Sequence, residues 1–168
     1  VREFLDGLDP KARERTVAVV STGDQSPSLR RLAPLTAMTV AEYFRDRGES
    51  VLLIVDSITR YAHAAREVAM AAGEPPVSRG YTPSVFSDMP RLLERAGPGE
   101  ADHGCITGIF SVLVDGDDHN DPVADNIRGT LDGHIVLDRA IAEQGRYPAV
   151  NPLTSISRLA GLAWSPDQ

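Results

Sequence analysis

Apolar and β-branched residues gather in four short runs along the chain: Thr16 to Thr22, Val51 to Asp56, Cys105 to Val114 and His134 to Asp138. Their length and composition predict strands. Val51-Leu52-Leu53-Ile54-Val55 has no polar alternation, the pattern of a strand covered on both faces. Between the runs the apolar spacing becomes helical. Leu29 to Arg47 repeats on one face and stops before Gly48, and the Ala-rich Ile58 to Ala72 stops before Gly73. Pro83 to Ala96 follows Thr82, with Pro at the first helical position and Thr as the expected cap. A short helix over Asp138 to Gln144 ends at Gly145. Strands alternating with helices imply an α/β fold with a mostly parallel sheet, joined by right-handed crossovers. In such sheets ligands sit beyond the carboxyl ends of the strands.

Two stretches break the pattern. Gly73 to Pro83 is rich in Pro and Gly and reads as a long loop. Asp115 to Pro122 reads Asp-Gly-Asp-Asp-His-Asn-Asp-Pro, also a loop, with Asp121 placed to cap the helix that follows.

A chain of 168 residues has the size of one domain. The net charge of −7 and the lack of any basic block argue against nucleic acid as the main partner. A single cysteine, Cys105, rules out an internal disulfide and favours a cytosolic compartment. No apolar run approaches the ~18 residues of a membrane span. The N-terminus, Val-Arg-Glu-Phe-Leu, is charged from its second residue and does not read as a signal peptide.

Candidate chemistry collects at the ends of the strands. Asp56 closes the unbroken apolar run and leads through Ser57-Ile58-Thr59-Arg60 into a helix. A carboxylate there is the Walker B arrangement, which holds Mg²⁺ beside nucleotide phosphates, commonly through water. The plainer alternative is a cap of the next helix. Ser21-Thr22-Gly23-Asp24 ends the first run and could present polar groups to phosphates, or simply form a turn capping a helix at Ser28. The acidic cluster Asp115, Asp117, Asp118 and Asp121 lacks the spacing and terminal Glu of a calcium loop. His63, His103, His119 and His134 have no zinc-ligand spacing, and no Gly-x-Ser-x-Gly elbow occurs. A Gly-x-x-x-x-Gly-Lys-Ser/Thr phosphate loop is likewise absent.

Residues 148 to 157, Pro-Ala-Val-Asn-Pro-Leu-Thr-Ser-Ile-Ser, stand directly before Arg158. This decapeptide resembles the signature of the rotary and export ATPase family, hexameric enzymes related to the ATP synthase α and β subunits. Thr39 to Asp46, Ala140 to Glu143, Tyr147 to Val150 and the segment around Asp56 resemble the same family. Gly73-Glu74-Pro75-Pro76, Arg79 to Phe86, Gly116 to Pro122 and Leu131 to Leu137 look like its type III export branch, flagellar enzymes first and virulence-secretion enzymes next.

The resemblance implies a RecA-like P-loop NTPase core, here truncated. Residues 1–168 are expected to be a partial catalytic domain without the N-terminal β-barrel, the phosphate loop or the C-terminal helical domain. It implies ATP and Mg²⁺ as ligands, with Asp56 at the metal and Tyr147 and Pro148 against the adenine. The bare alternative for Tyr147 is packing on a Pro turn. It implies that Arg158, on a turn after the strand His134 to Asp138, reaches a neighbouring subunit's ATP, while Arg60 and Arg79 serve subunit contacts. A planar guanidinium suits charge that develops on phosphate oxygens. The implied setting is a cytoplasmic homohexamer, peripheral to the inner membrane at an export gate, meeting the export apparatus, a regulator and chaperone–substrate complexes. A subunit that keeps the fold but only completes a neighbour's site is the non-catalytic alternative.

Overall fold

The computed structural model describes residues 1–114, 116, 118, 121–163 and 165. Helices α1 (Arg2–Asp6) and α2 (Pro10–Glu14) come first, and the Asp9 side chain caps α2. The long α3 (Pro27–Arg45) starts behind Ser26, whose hydroxyl accepts from Leu29 N. The cap therefore lies at Ser26, two residues before the expected Ser28. Strand β1 (Ser50–Val55) leads into α4 (Ile58–Ala71), and α5 (Pro83–Leu93) follows the Pro-rich loop. Then come β2 (Gly97–Pro98), β3 (Cys105–Phe110), α6 (Pro122–Thr130), β4 (Gly133–Leu137), α7 (Arg139–Glu143), β5 (Val150–Ser157) and α8 (Ala160–Ala163).

The centre is α/β, as expected. Strands β1 and β3 pair in parallel from Ser50↔Cys105 to Val55↔Phe110. Met38 of α3, Ile58 and Ala62 of α4, Val85 and Met89 of α5, and Ile127 of α6 pack with Leu53 and Ile106 into one core. At Gly104, just before β3, a Cβ would overlap the Glu49 carbonyl, so only glycine allows β3 to start this close to β1. An ion pair ties α3 to the end of α5: Arg95 grips Glu42 through Nε at 2.8 Å and Nη2 at 2.6 Å.

Four expectations are corrected. The run Thr16 to Thr22 forms no strand, and Val17, Val19 and Val20 are exposed. Its residues favour extended backbone, but a strand needs a hydrogen-bonding neighbour, and none of the described residues pairs with it. Strand β1 is covered on one face only. Leu53 is buried toward the helices, whereas Leu52 is 60% and Ile54 59% exposed, beside Ile109 of β3 at 53%. The parallel pairing does not extend to β4. Instead β4 pairs antiparallel with β5 in a separate two-stranded sheet.

Arg158 stands on a turn, as expected, and the fourth correction concerns the decapeptide before it, where no strand is expected. Most of it is β5, for reasons visible in its polar residues. Asn151 Nδ2 donates to Asp138 at 2.9 Å. The register slips between His134 and Val136, and there the Ser155 hydroxyl accepts from Val136 N at 3.0 Å and donates to the Asn151 carbonyl at 2.6 Å. Gly133 lets the strands close, since a Cβ there would stand 2.5 Å from the Ile156 carbonyl.

Candidate functional site

Asp56 follows β1 by one residue, and Ser111 follows β3 by one residue. Because Val55 and Phe110 are paired, the two next residues meet. The Ser111 hydroxyl donates to Asp56 Oδ1 at 2.7 Å. Around this pair the backbone is stitched twice: Ser111 N donates to the Val55 carbonyl, and Ile58 N donates to the Ser111 carbonyl. One turn into α4, the buried Thr59 hydroxyl accepts from Leu113 N at 2.9 Å and donates to the Leu113 carbonyl. The cap of α4 is Ser57, whose hydroxyl accepts from Arg60 N. Asp56 is thus not needed as the cap, and its carboxylate stays exposed at the carboxyl end of a parallel strand.

Asp56 lines a cavity of about 180 Å³ with Ser21, Gly23, Arg30, Arg60 and His63. The Ser21 to Asp24 segment therefore reaches the same place as Asp56, although no strand forms before it. Thr22 and the local backbone hold the Asp24 carboxyl below the ordinary carboxylate range. Arg30 is engaged in an ion pair with Glu67 at 2.9 Å. Tyr61, also in this wall, is buried, and burial raises its hydroxyl above the usual tyrosine value, with Asp88 adding to the effect.

One exposed carboxylate with one hydroxyl donor fits a hard divalent cation held through water, as Mg²⁺ commonly is. No cluster of three or more His, Cys, Asp or Glu suited to a tighter metal site occurs among the described residues.

Arg158 lies elsewhere. It follows β5, and its backbone N–H donates to the Asp132 carbonyl at 2.8 Å. Its guanidinium donates to the carbonyls of Gly129 at 3.3 Å and Arg128 at 3.1 Å, in the last turn of α6. A cation at a helix C-terminus matches the partial negative charge there. Two of the five N–H donors are used in this way, and the side chain remains exposed. Arg158 lines a second cavity of about 290 Å³ with Asp125, Arg128, Gly133, His134 and Ile156. No described residue lines both cavities.

Tyr147 is 77% exposed, Pro148 is exposed beside it, and neither borders the two cavities. The structure thus gathers Asp56 with the Ser21 to Asp24 turn and leaves Tyr147, Pro148 and Arg158 apart from it. Arg79 pairs with Asp118 of the acidic loop. Asp121 caps α6, accepting from Val123 N and Ala124 N at 2.9 Å. The expectations for Asp115, Asp117 and His119 lie outside the described residues. Sequence reasoning missed Ser111, a serine just past an apolar strand, whose only signal was its position one residue beyond the partner of Val55.

Comparison with known proteins adds the following. Residues 1–157 match the ATP synthase alpha/beta family, nucleotide-binding domain. The "Flagellum-specific ATP synthase" of Rhizobium meliloti (strain 1021) is 67% identical over all 168 residues, which span 36% of its length. The assembled ATPase EscN from the enteropathogenic E. coli (EPEC) type III secretion system superposes with a TM-score of 0.94 at 49% identity, over 99% of this chain and 40% of that one. EscN in complex with its central stalk EscO gives a TM-score of 0.83 at 49% identity, over 94% and 36%. The chain spans about a third of the length of the curated relatives it matches. No helix among the described residues is long and apolar enough to cross a membrane.

Proposed function

The chain belongs to the ATP synthase alpha/beta family, and from that membership we propose that it is part of the nucleotide-binding core of a protein-export ATPase, working as a segment of a longer protein that supplies the phosphate loop. The flagellar branch is favoured over virulence secretion because the flagellar relative shares more of its residues than EscN does. The full-length protein hydrolyses ATP at the interfaces of a homohexamer, at the cytoplasmic face of the inner membrane, and meets a central stalk, a regulator and chaperone–substrate complexes.

The single observation behind this reading is the separation of the two charged groups. Asp56 and Arg158 line different cavities of the same chain, and each is exposed. A nucleotide bound beside Asp56 then takes its arginine from another copy. In this scheme Asp56 holds Mg²⁺ through water. When bound, Mg²⁺ offsets the negative charge of the β- and γ-phosphates. The α6 carbonyls fix the plane of the Arg158 guanidinium, and its remaining N–H donors face the neighbour's γ-phosphate. Tyr147 and Pro148, exposed at the start of the decapeptide, form the adenine-facing surface.

The test mixes two inactive full-length variants, Arg158→Ala and a phosphate-loop Lys→Ala. Each alone is expected to lose about 10³-fold or more in turnover. Mixed rings contain interfaces with an intact loop on one side and an intact arginine on the other, so partial activity returns. Absence of recovery in rings proven to be mixed would assign Arg158 to its own subunit or to the fold.

A further inference from the structure

We propose that Ser111 is the positioning residue for Asp56: its hydroxyl fixes the carboxylate in the orientation that receives the hydrated Mg²⁺ of the nucleotide. The inference rests on the assignment of Asp56 to the metal.

Three observations on the chain lead to it. The Ser111 hydroxyl donates to Asp56 Oδ1 at 2.7 Å, the length of a strong bond from a hydroxyl to a charged oxygen. Among the described residues this is the hydrogen bond given to that carboxylate, so it alone selects a rotamer for an otherwise exposed side chain. A carboxylate holding one oxygen on a hydroxyl presents the other to solvent.

The serine is itself held firmly. Its N–H and carbonyl are both engaged, by Val55 and Ile58, so the hydroxyl is carried on rigid backbone between β3 and α4. Two residues further on, Leu113 is locked to the buried Thr59 by a reciprocal pair of bonds. Strand, helix and carboxylate thus form one frame with Ser111 at its junction.

Nothing in the fold requires a hydroxyl here. Ser111 is half-buried, it caps no helix, and its backbone bonds would survive in alanine. Among the described residues the hydroxyl has one partner, the candidate metal-holding carboxylate. Groups that orient a ligand from behind are commonly worth about 10-fold or more in metal affinity.

The experiment uses the full-length protein with ADP and Mn²⁺ as the metal probe, followed by electron paramagnetic resonance, and a Mg²⁺ titration of turnover in parallel. Ser111→Ala is expected to weaken Mn²⁺ binding by about 10-fold and to raise the Mg²⁺ needed for half-maximal turnover by a similar factor, while ADP affinity without metal is unchanged. Ser111→Thr keeps the hydroxyl and restores both. Should Ser111→Ala not fold, Ser111→Thr against Ser111→Val compares side chains of equal shape that differ in the hydroxyl. Normal Mn²⁺ binding in the variants without a hydroxyl, with Asp56→Asn defective, overturns the role of Ser111 and leaves that of Asp56. Normal Mn²⁺ binding in Asp56→Asn overturns the metal assignment, and the role of Ser111 with it.

Discussion

Glu42 of α3 and Arg95, just past α5, make a two-point ion pair with a defined pH signature. The hydrogen bonds from Arg95 hold the Glu42 carboxyl below its ordinary value, against a smaller opposing effect of burial. A carboxyl lowered in the folded state contributes stability that is complete above its unfolded value, about 4.3, and is lost as pH falls through the folded value. Glu42→Gln is therefore expected to cost about 1 kcal/mol at neutral pH, the scale of a part-exposed two-point pair. Variant and wild type should converge in urea melts once the pH falls below the lowered folded value of Glu42. A gap that persists at low pH would mean the loss is one of packing. At this scale the sequence was legible where chemistry is local. Asp56 at the end of its strand and Asp121 as a cap follow from neighbours in the chain. Ser111 was not legible, because its partner lies on another strand and only the β1–β3 register brings them together.

At the scale of elements, the helices and central strands were readable because their periodicity is a property of a few consecutive residues. Strand β5 was not, since its apolar positions are interrupted by Asn151, Pro152, Thr154 and Ser155, which look like turn residues. Two of these polar groups serve the hairpin itself: Asn151 tethers Asp138, and Ser155 fills the break in register. The opposite error, a strand expected over Thr16 to Thr22, came from composition that favours extended backbone without saying what it pairs with. The hairpin also sets Arg158, through its N–H on the Asp132 carbonyl. Gly133→Ala forces a methyl against the Ile156 carbonyl and should destabilise the hairpin by about 1–3 kcal/mol. Hydrogen exchange would report this as faster exchange in β4 and β5 with β1 and β3 unchanged. Uniform loss across both sheets would show that the hairpin is integral to the main core.

For the molecule as a whole, one consequence concerns nucleotide affinity. On the proposed reading Asp56 offers a carboxylate for metal, while these 168 residues contain no Gly-x-x-x-x-Gly-Lys-Ser/Thr loop to supply backbone N–H groups and a lysine to the β- and γ-phosphates. Calorimetry of these 168 residues with Mg²⁺ and ATP should show no binding in the micromolar range. A micromolar constant would mean that the Ser21 to Asp24 turn and Arg30 form a phosphate site of their own.

Asp56 and Arg158 lie in cavities that share no described residue, and the consequence is one of symmetry. A subunit that presents a receiving surface and a donating surface at different places joins its copies head to tail. Such a contact has no intrinsic end: if the rotation between neighbours closes, the result is a ring, and if it does not, an open helix of subunits. On the proposed reading, the angle set by packing at that contact, and no feature of the chemistry, decides how many complete sites an assembly holds.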